Sequence, residues 1–227
     1  MDEGRKWTAT VMFCDMVGFT KLAYKLDPER LQVVIRAYED ACTTCVNRYE
    51  GYVFTTLGDG IVAFFGFPMA HENESERAIR AGLDIVETLS TLQLPGIGRL
   101  QVRIGIAAGM VVVTSGECNA VGETMNLAAR LQAVAHPGSV VVSERVQRLA
   151  AGRFEFEDHG EKELKGVSGL TRVYRVLGVS GAQSRFEAAT QQGLTPLVGR
   201  EAEIDQLLGR WREVRETGTG RDRKSVV

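Results

Sequence analysis

Apolar positions along the chain follow two rhythms, an every-other-residue or continuous pattern over short runs and a three-to-four-residue spacing over long ones. Residues 8–13 (T-A-T-V-M-F) form a β-rich apolar run closed by an acid and followed by Gly18, which predicts a buried strand feeding a turn. Asp27-Pro28-Glu29 marks a helix start, with Asp as N-cap and Pro at the first helical position. Leu31, Val34, Ile35, Tyr38, Cys42, Cys45, Val46 and Tyr49 then recur at helical spacing up to Gly51, predicting a long amphipathic helix. Residues 52–57 and 61–67 are short β-rich runs around Gly58-Asp59-Gly60, a tight hairpin with an acid at its tip. A helix is expected over 74–92, strands over 100–107 and 110–114, a helix over 124–135, a strand over 139–142 and a helix over 144–150. Two strands, 154–157 and 171–177, close the pattern. This alternation predicts an α+β protein with helices stacked on one face of a sheet.

The pattern changes after Gly178. Residues 179–195 are rich in Ser, Gly, Ala and Gln and read as a linker. Pro196-Leu197-Val198-Gly199-Arg200-Glu201 then opens a helix that carries Leu207, Leu208, Trp211 and Val214 on one face, with nothing of its own to pack against. The expected organisation is one domain over 1–178, a linker over 179–195 and the start of a further domain over 196–227. Residues 218–225 (G-T-G-R-D-R-K-S) have the spacing of a phosphate loop, but Arg223 stands where its second glycine must be, so a strand start at 225–227 is the better reading.

Composition narrows the class. With 44% hydrophobic and 25% charged residues the chain is ordinary for a globular protein. Lys and Arg number 27 against 29 Asp and Glu, a net charge of -2, so no global field gathers a polyanion and a nucleic-acid binder is disfavoured. No uncharged run is longer than residues 104–116, which fall short of the roughly 20 apolar residues of a membrane helix. The first residues, M-D-E-G-R-K-W, carry no secretory h-region, and a cytoplasmic setting is expected, in which four sparse cysteines stay as thiols. Cys42 and Cys45 form a C-x-x-C inside a helical pattern, where they read as small helix-filling residues rather than zinc ligands.

Two carboxylates stand out, Asp15 at the end of the first strand and Asp59 at the hairpin tip. If the hairpin pairs beside that strand, the acids meet at one end of the sheet. Close carboxylates with no His nearby in sequence suit a hard divalent cation, Mg²⁺ or Mn²⁺, held jointly with a phosphate ligand. The alternative is that Asp15 caps a turn and Asp59 is the preferred residue of a D-G hairpin. Amides of a Gly18-Phe19-Thr20 turn could cradle phosphate oxygens. Asn126 and Arg130, spaced i, i+4, project from one face of one helix.

The combination of F-C-D-M-V-G-F-T (residues 13–20), L-G-D-G (57–60) and V-G-E-T-M-N-L-A-A-R (121–130), with the later L-K-G-V-S-G-L-T-R-V-Y-R-V, resembles the class III adenylate and guanylate cyclase catalytic domain over about residues 5–178. The last segment is similar to the bacterial branch near the bicarbonate-responsive soluble cyclases, and Gly199-Arg200-Glu201 to the opening of the ATPase domains that follow such cyclases in large regulators. The resemblance implies a ferredoxin-like βαββαβ core with extra C-terminal strands and a helix. It implies two divalent ions, Mg²⁺ or Mn²⁺, on Asp15 and Asp59, with the Met16 carbonyl as an extra ligand. It makes Asn126 the group that orients the ribose and Arg130 the group that stabilises charge on the α-phosphate. Those two residues face the metal ligands of a second catalytic domain in this family, so a head-to-tail homodimer with composite sites is implied.

The chain departs from the family pattern at the base pocket. Thr55 stands where adenylate cyclases usually carry lysine and guanylate cyclases glutamate, and Asn119 aligns with the partner base-reading residue. A short hydroxyl and an amide that both donates and accepts should discriminate purines weakly. Lys165 is the candidate for the terminal phosphates, while Val167 occupies the register of the family's usual lysine. The expected activity is conversion of ATP to cyclic AMP and pyrophosphate. A GTP-accepting cyclase, or a weakly active or inactive cyclase-like module that dimerises or senses nucleotide for a downstream ATPase, is the alternative. A diguanylate cyclase lacks support because no G-G-[DE]-E-F run is present.

Overall fold

The computed structural model of the chain describes residues 5–94, 96–114, 119–180, 199 and 201–217. It divides into two units, Met1–Ala188 and Ala189–Val227. In the first, β1 (Arg5–Met16) leads through a short helix α1 (Phe19–Lys25) to the long helix α2 (Pro28–Arg48), the hairpin β2 (Tyr52–Leu57) and β3 (Gly60–Phe65), and helix α3 (Glu74–Thr91). Strands β4 (Val102–Thr114) and β5 (Asn119–Val121), helix α4 (Glu123–Val134), β6 (Ser139–Ser143), α5 (Glu144–Leu149), β7 (Phe154–Glu163) and β8 (Leu170–Val179) follow.

The strands form one sheet in the order β2-β3-β1-β4-β6-β8-β7, with β5 folded back onto β4. All its pairs are antiparallel except β4 with β6. The β2-β3-β1-β4 part, with α2 and α3 as crossovers, is the expected ferredoxin-like βαββαβ core. Asp27 caps α2 as its sequence predicts, accepting from the Arg30 amide at 2.9 Å, and Pro28 starts the helix.

The helices do not all stack on one face, as the pattern had suggested. Alternation along β1 sends Met12, Cys14 and Met16 into a core with α2 and α3, where Tyr38, Cys42, Cys45, Ile79 and Ile85 are buried. It sends Ala9 and Val11 to the opposite face, where Ala128, Leu131 and Ala135, from α4 and the residue that ends it, bury a second core with Val62 and Phe64. The central strands are apolar on both sides because both sides are covered. Cys42 and Cys45 fill the first core; Cys42 touches Cys14, and Tyr38 donates to the Cys14 carbonyl at 3.3 Å.

Two further expectations are corrected. Residues 100–107 and 110–114 are not separate strands: β4 runs unbroken through Gly109, opposite Ala9, because the glycine serves close packing rather than a turn. A β-carbon there would stand 2.5 Å from Thr124 Oγ1, which donates to the Met110 carbonyl at 2.8 Å. The chain between Gly18 and Lys25 forms α1, started by Gly18 at φ +77°. The C-terminal strands also extend beyond the expected runs, and β8 ends at Val179.

In the second unit, α6 (Glu201–Thr217) is the expected helix, with Leu207, Leu208, Trp211 and Val214 exposed and Arg215 stacked over Trp211. Residues 181–198 and 218–227, which hold most of the expected linker and the phosphate-loop-like run, lie outside the described residues.

Gly105 allows α4 to touch β4 backbone to backbone; an added β-carbon there would collide with the Gln132 nitrogen and the Ala128 carbonyl of α4. Gly105→Ala should therefore destabilise the protein by about 1–3 kcal/mol, read from the midpoint of urea unfolding. Gly109→Ala should cost less, since it meets only a side chain.

Candidate active site

The hairpin pairs beside β1, which places the two acids in one corner. Asp15 lies opposite Gly60 on β3 and opposite Arg103 on β4, and the Met16 amide donates to the Asp59 carbonyl at 3.2 Å. The turn that carries Asp59 needs Gly58 at φ +65°. The carboxylates lie within hydrogen-bonding reach of each other. Burial first, then the charge of Asp59 and the hydrogen bond with it, push the Asp15 carboxyl up from 3.8 to about 6; Arg103 and a hydrogen bond from Gln132 oppose the rise.

Such a pair fits a divalent cation of the Mg²⁺ type. The repulsion that adds to burial in raising Asp15 is what a shared cation relieves, and Mg²⁺ needs only one or two carboxylates when waters and phosphates complete its octahedron. Among the described residues no group of three or more His, Cys, Asp or Glu forms a denser cage.

The neighbouring elements bring other expected residues to this side of the sheet. The main chain of Met16 is at the corner, its side chain in the core. Gly18 forms the unusual left-handed entry to α1, which no side chain caps, so the turn Gly18-Phe19-Thr20 presents first-turn amides just beyond Asp15. Thr55 is half-buried in β2 opposite Val62, on the face that holds α4. A register shift between Val53 and Thr55 places it there, since Phe54 packs toward the same core and stacks on Phe64.

Asn126 and Arg130 are exposed on α4, whose buried residues Thr124, Ala128 and Leu131 face the sheet. The structure therefore does not bring them onto the Asp15–Asp59 pair of their own chain, and Arg130 has no ion pair among the described residues. Lys165 is exposed in the turn between β7 and β8, where Val167 packs against the second core. The backbone of Asn119 opens β5 opposite Thr114; its side chain lies outside what the structure describes.

Residues 1–178 match the family model of the adenylate and guanylate cyclase catalytic domain. The chain belongs to this family. The chain is 29% identical over 193 residues to adenylate cyclase 1 of Rhizobium meliloti (strain 1021), covering 80% of this chain and 29% of that protein. It is 26% identical over 197 residues to the receptor-type guanylate cyclase gcy-23 of Caenorhabditis elegans, covering 82% of this chain and 18% of that protein. The crystal structure of the adenylyl cyclase CyaB from P. aeruginosa superposes with a TM-score of 0.74 at 25% identity, covering 80% of this chain and all of that one. The chain thus spans less than a third of the length of these curated relatives.

Arg103 and Gln132 are the residues of the cyclase domain's acidic corner that motif reading missed. The signal was present: position 132 follows Thr124 and Ala128 at four-residue steps, so it faces the sheet, yet it is polar. Arg103 sits two residues before Gly105 on the strand face that α4 covers.

The raised Asp15 carboxyl has a stability consequence. With a folded value of about 6 above an unfolded 3.8, its ionisation costs stability progressively as pH rises through that window, and the cost is complete above it. In chelator, Asp15→Asn should melt at a higher temperature than the parent at pH 8. The gap should close as pH falls from about 6 toward 3.8 in thermal melts, and added Mn²⁺ should raise the melting temperature of the parent alone.

Proposed function

We propose that this chain is a purine nucleotide cyclase that converts ATP to 3',5'-cyclic AMP and pyrophosphate at sites shared between two copies. The observation that carries this reading is the Asp15–Asp59 pair at the β1–β3 corner, in a domain whose family catalyses cyclisation of purine nucleotides. Bound Mg²⁺ or Mn²⁺, two ions per site, would supply charge neutralisation on the triphosphate and acidify the ribose 3'-hydroxyl. Asp15 and Asp59 would hold the ions, with the Met16 carbonyl as a further oxygen. The Gly18-Phe19-Thr20 amides would bind phosphate oxygens, and Lys165 the terminal phosphates.

Asn126 would orient the ribose and Arg130 would stabilise charge on the α-phosphate. Their outward direction on α4, away from their own acidic corner, supports a role in the site of a second copy. Thr55 and Asn119 would line the base pocket. Because Thr55 lacks the acid that would pair with guanine, ATP is favoured, and because it also lacks a lysine, GTP is accepted as a slower substrate. The second reading, a module with little turnover that senses nucleotide, rests on the same uncharged Thr55. Residues 196–227 would begin a further domain of ATPase type, with the exposed stripe of α6 as its first packing face. A reducing, cytoplasmic setting suits the free thiols Cys14, Cys42 and Cys45.

Incubation of the chain with ATP or GTP and Mn²⁺ or Mg²⁺ should give cyclic nucleotide, more from ATP, with at least a hundredfold loss in Asp15→Ala and in Asp59→Ala. Nucleotide binding without product in a folded dimer would instead favour the sensing module. Arg130→Ala and Asp15→Ala, each inactive alone, should recover up to about a quarter of parent activity when mixed, since half the dimers are mixed and each holds one intact site. Absence of recovery in heterodimers verified by tag exchange would refute the shared site.

A further inference from the structure

Asp15, Arg103 and Gln132 meet on one face of the sheet. Along β1, Val11 marks the face turned to α4 and Asp15 lies on it by alternation; Arg103, directly opposite Asp15, and Ala107 lie on the same face of β4. Between them Gly105 lets the main chain of α4 at Gln132 rest against the strand without an intervening side chain. The position of the Gln132 backbone is therefore fixed by close backbone packing, and its half-buried side chain, turned to the same face as Asp15, comes within hydrogen-bonding reach of that carboxylate.

We infer that Gln132 is a positioning residue that holds the Asp15 carboxylate from α4, engaging it through its amide N–H so that the acid stays aimed at the space it shares with Asp59. The inference rests on the reading of Asp15 as a cation ligand. Without the amide, Asp15 would have Asp59 and Arg103 as its charged neighbours and would be free to turn toward the guanidinium. An acid paired with Arg103 is lost to the cation. Gln132 prevents this by fixing the carboxylate plane, as a hydrogen-bonding neighbour commonly does for a metal ligand.

The test uses the full 227-residue chain and two variants that keep helix propensity, Gln132→Met, which keeps the volume, and Gln132→Ala. Mn²⁺ binding without nucleotide is read from the electron paramagnetic resonance signal of the free ion, with melts in chelator to establish folding. The parent should bind Mn²⁺ in a manner that Asp15→Ala abolishes, and both Gln132 variants should bind about tenfold more weakly. Binding by the folded Gln132 variants within twofold of the parent would overturn the inference and leave the site reading standing. Parent binding indifferent to Asp15→Ala would overturn both.

The split between chains adds a readout that a general structural role would not give. In mixed dimers with one live site, Gln132→Met on the chain that supplies Asp15 should raise the half-saturating Mn²⁺ concentration about tenfold, with kcat at saturating metal little changed. On the chain that supplies Arg130 it should leave that concentration within twofold. Equal effects from either chain would overturn the inference.

Discussion

The ladder between β1 and β4, continuous from Arg5–Val113 to Met16–Val102, is the interaction on which the rest of the structure depends. Its backbone hydrogen bonds make β1 an interior strand, flanked on its other edge by β3, and every residue of β1 is thereby committed to one face or the other. A slip of one residue would move Met12 and Cys14 out of the α2–α3 core and turn Asp15 into it. The same register that buries the apolar residues thus keeps a carboxylate on the opposite face, beside the hairpin. Tyr38 locks this from below by donating to the Cys14 carbonyl, one residue from the acid.

Placing two acids together costs free energy that the fold must offset elsewhere. Burial and then the charge of Asp59 hold the Asp15 carboxyl up, and Arg103 and Gln132 reduce the rise without cancelling it. A corner left under-neutralised in this way is suited to a cation that arrives with substrate, whereas full neutralisation by arginines would have closed it. Helix α4 has a double part: its inner side closes the second core and supports Asp15, and its outer side carries Asn126 and Arg130.

Most of the strand and helix pattern was legible because period and punctuation agree, as at Asp27-Pro28 and at Gly58-Asp59-Gly60. The pairing of Asp15 with Asp59 was legible only conditionally, since it required β3 to lie beside β1. What could not be read locally depended on contacts distant in sequence. Gly109 resembles a breaker until Thr124 of α4 is seen to occupy the space of its missing side chain. The covering of both sheet faces was concealed because a fully apolar strand such as residues 61–65 looks the same wherever its helices lie. Gln132 carried no motif; only its position on a buried helical side, opposite a glycine, reveals it.

Thr55 belongs to β2, the outermost strand on its side of the sheet, and reaches its face through a local irregularity rather than through the regular ladder. Asp15 of the acidic corner, in contrast, is fixed by interior strands, while Asp59 sits in the turn that joins β2 to β3. Under the proposed reading, the residue that chooses the base and the strand that carries Asp15 are therefore held by different ladders. Thr55 pairs with Val62 of β3 but with no residue of β1 or β4, so a change of side chain there can alter nucleotide preference while the register that sets Asp15 stays in place. On that reading, a descendant of this chain could exchange its signalling nucleotide without first losing its chemistry.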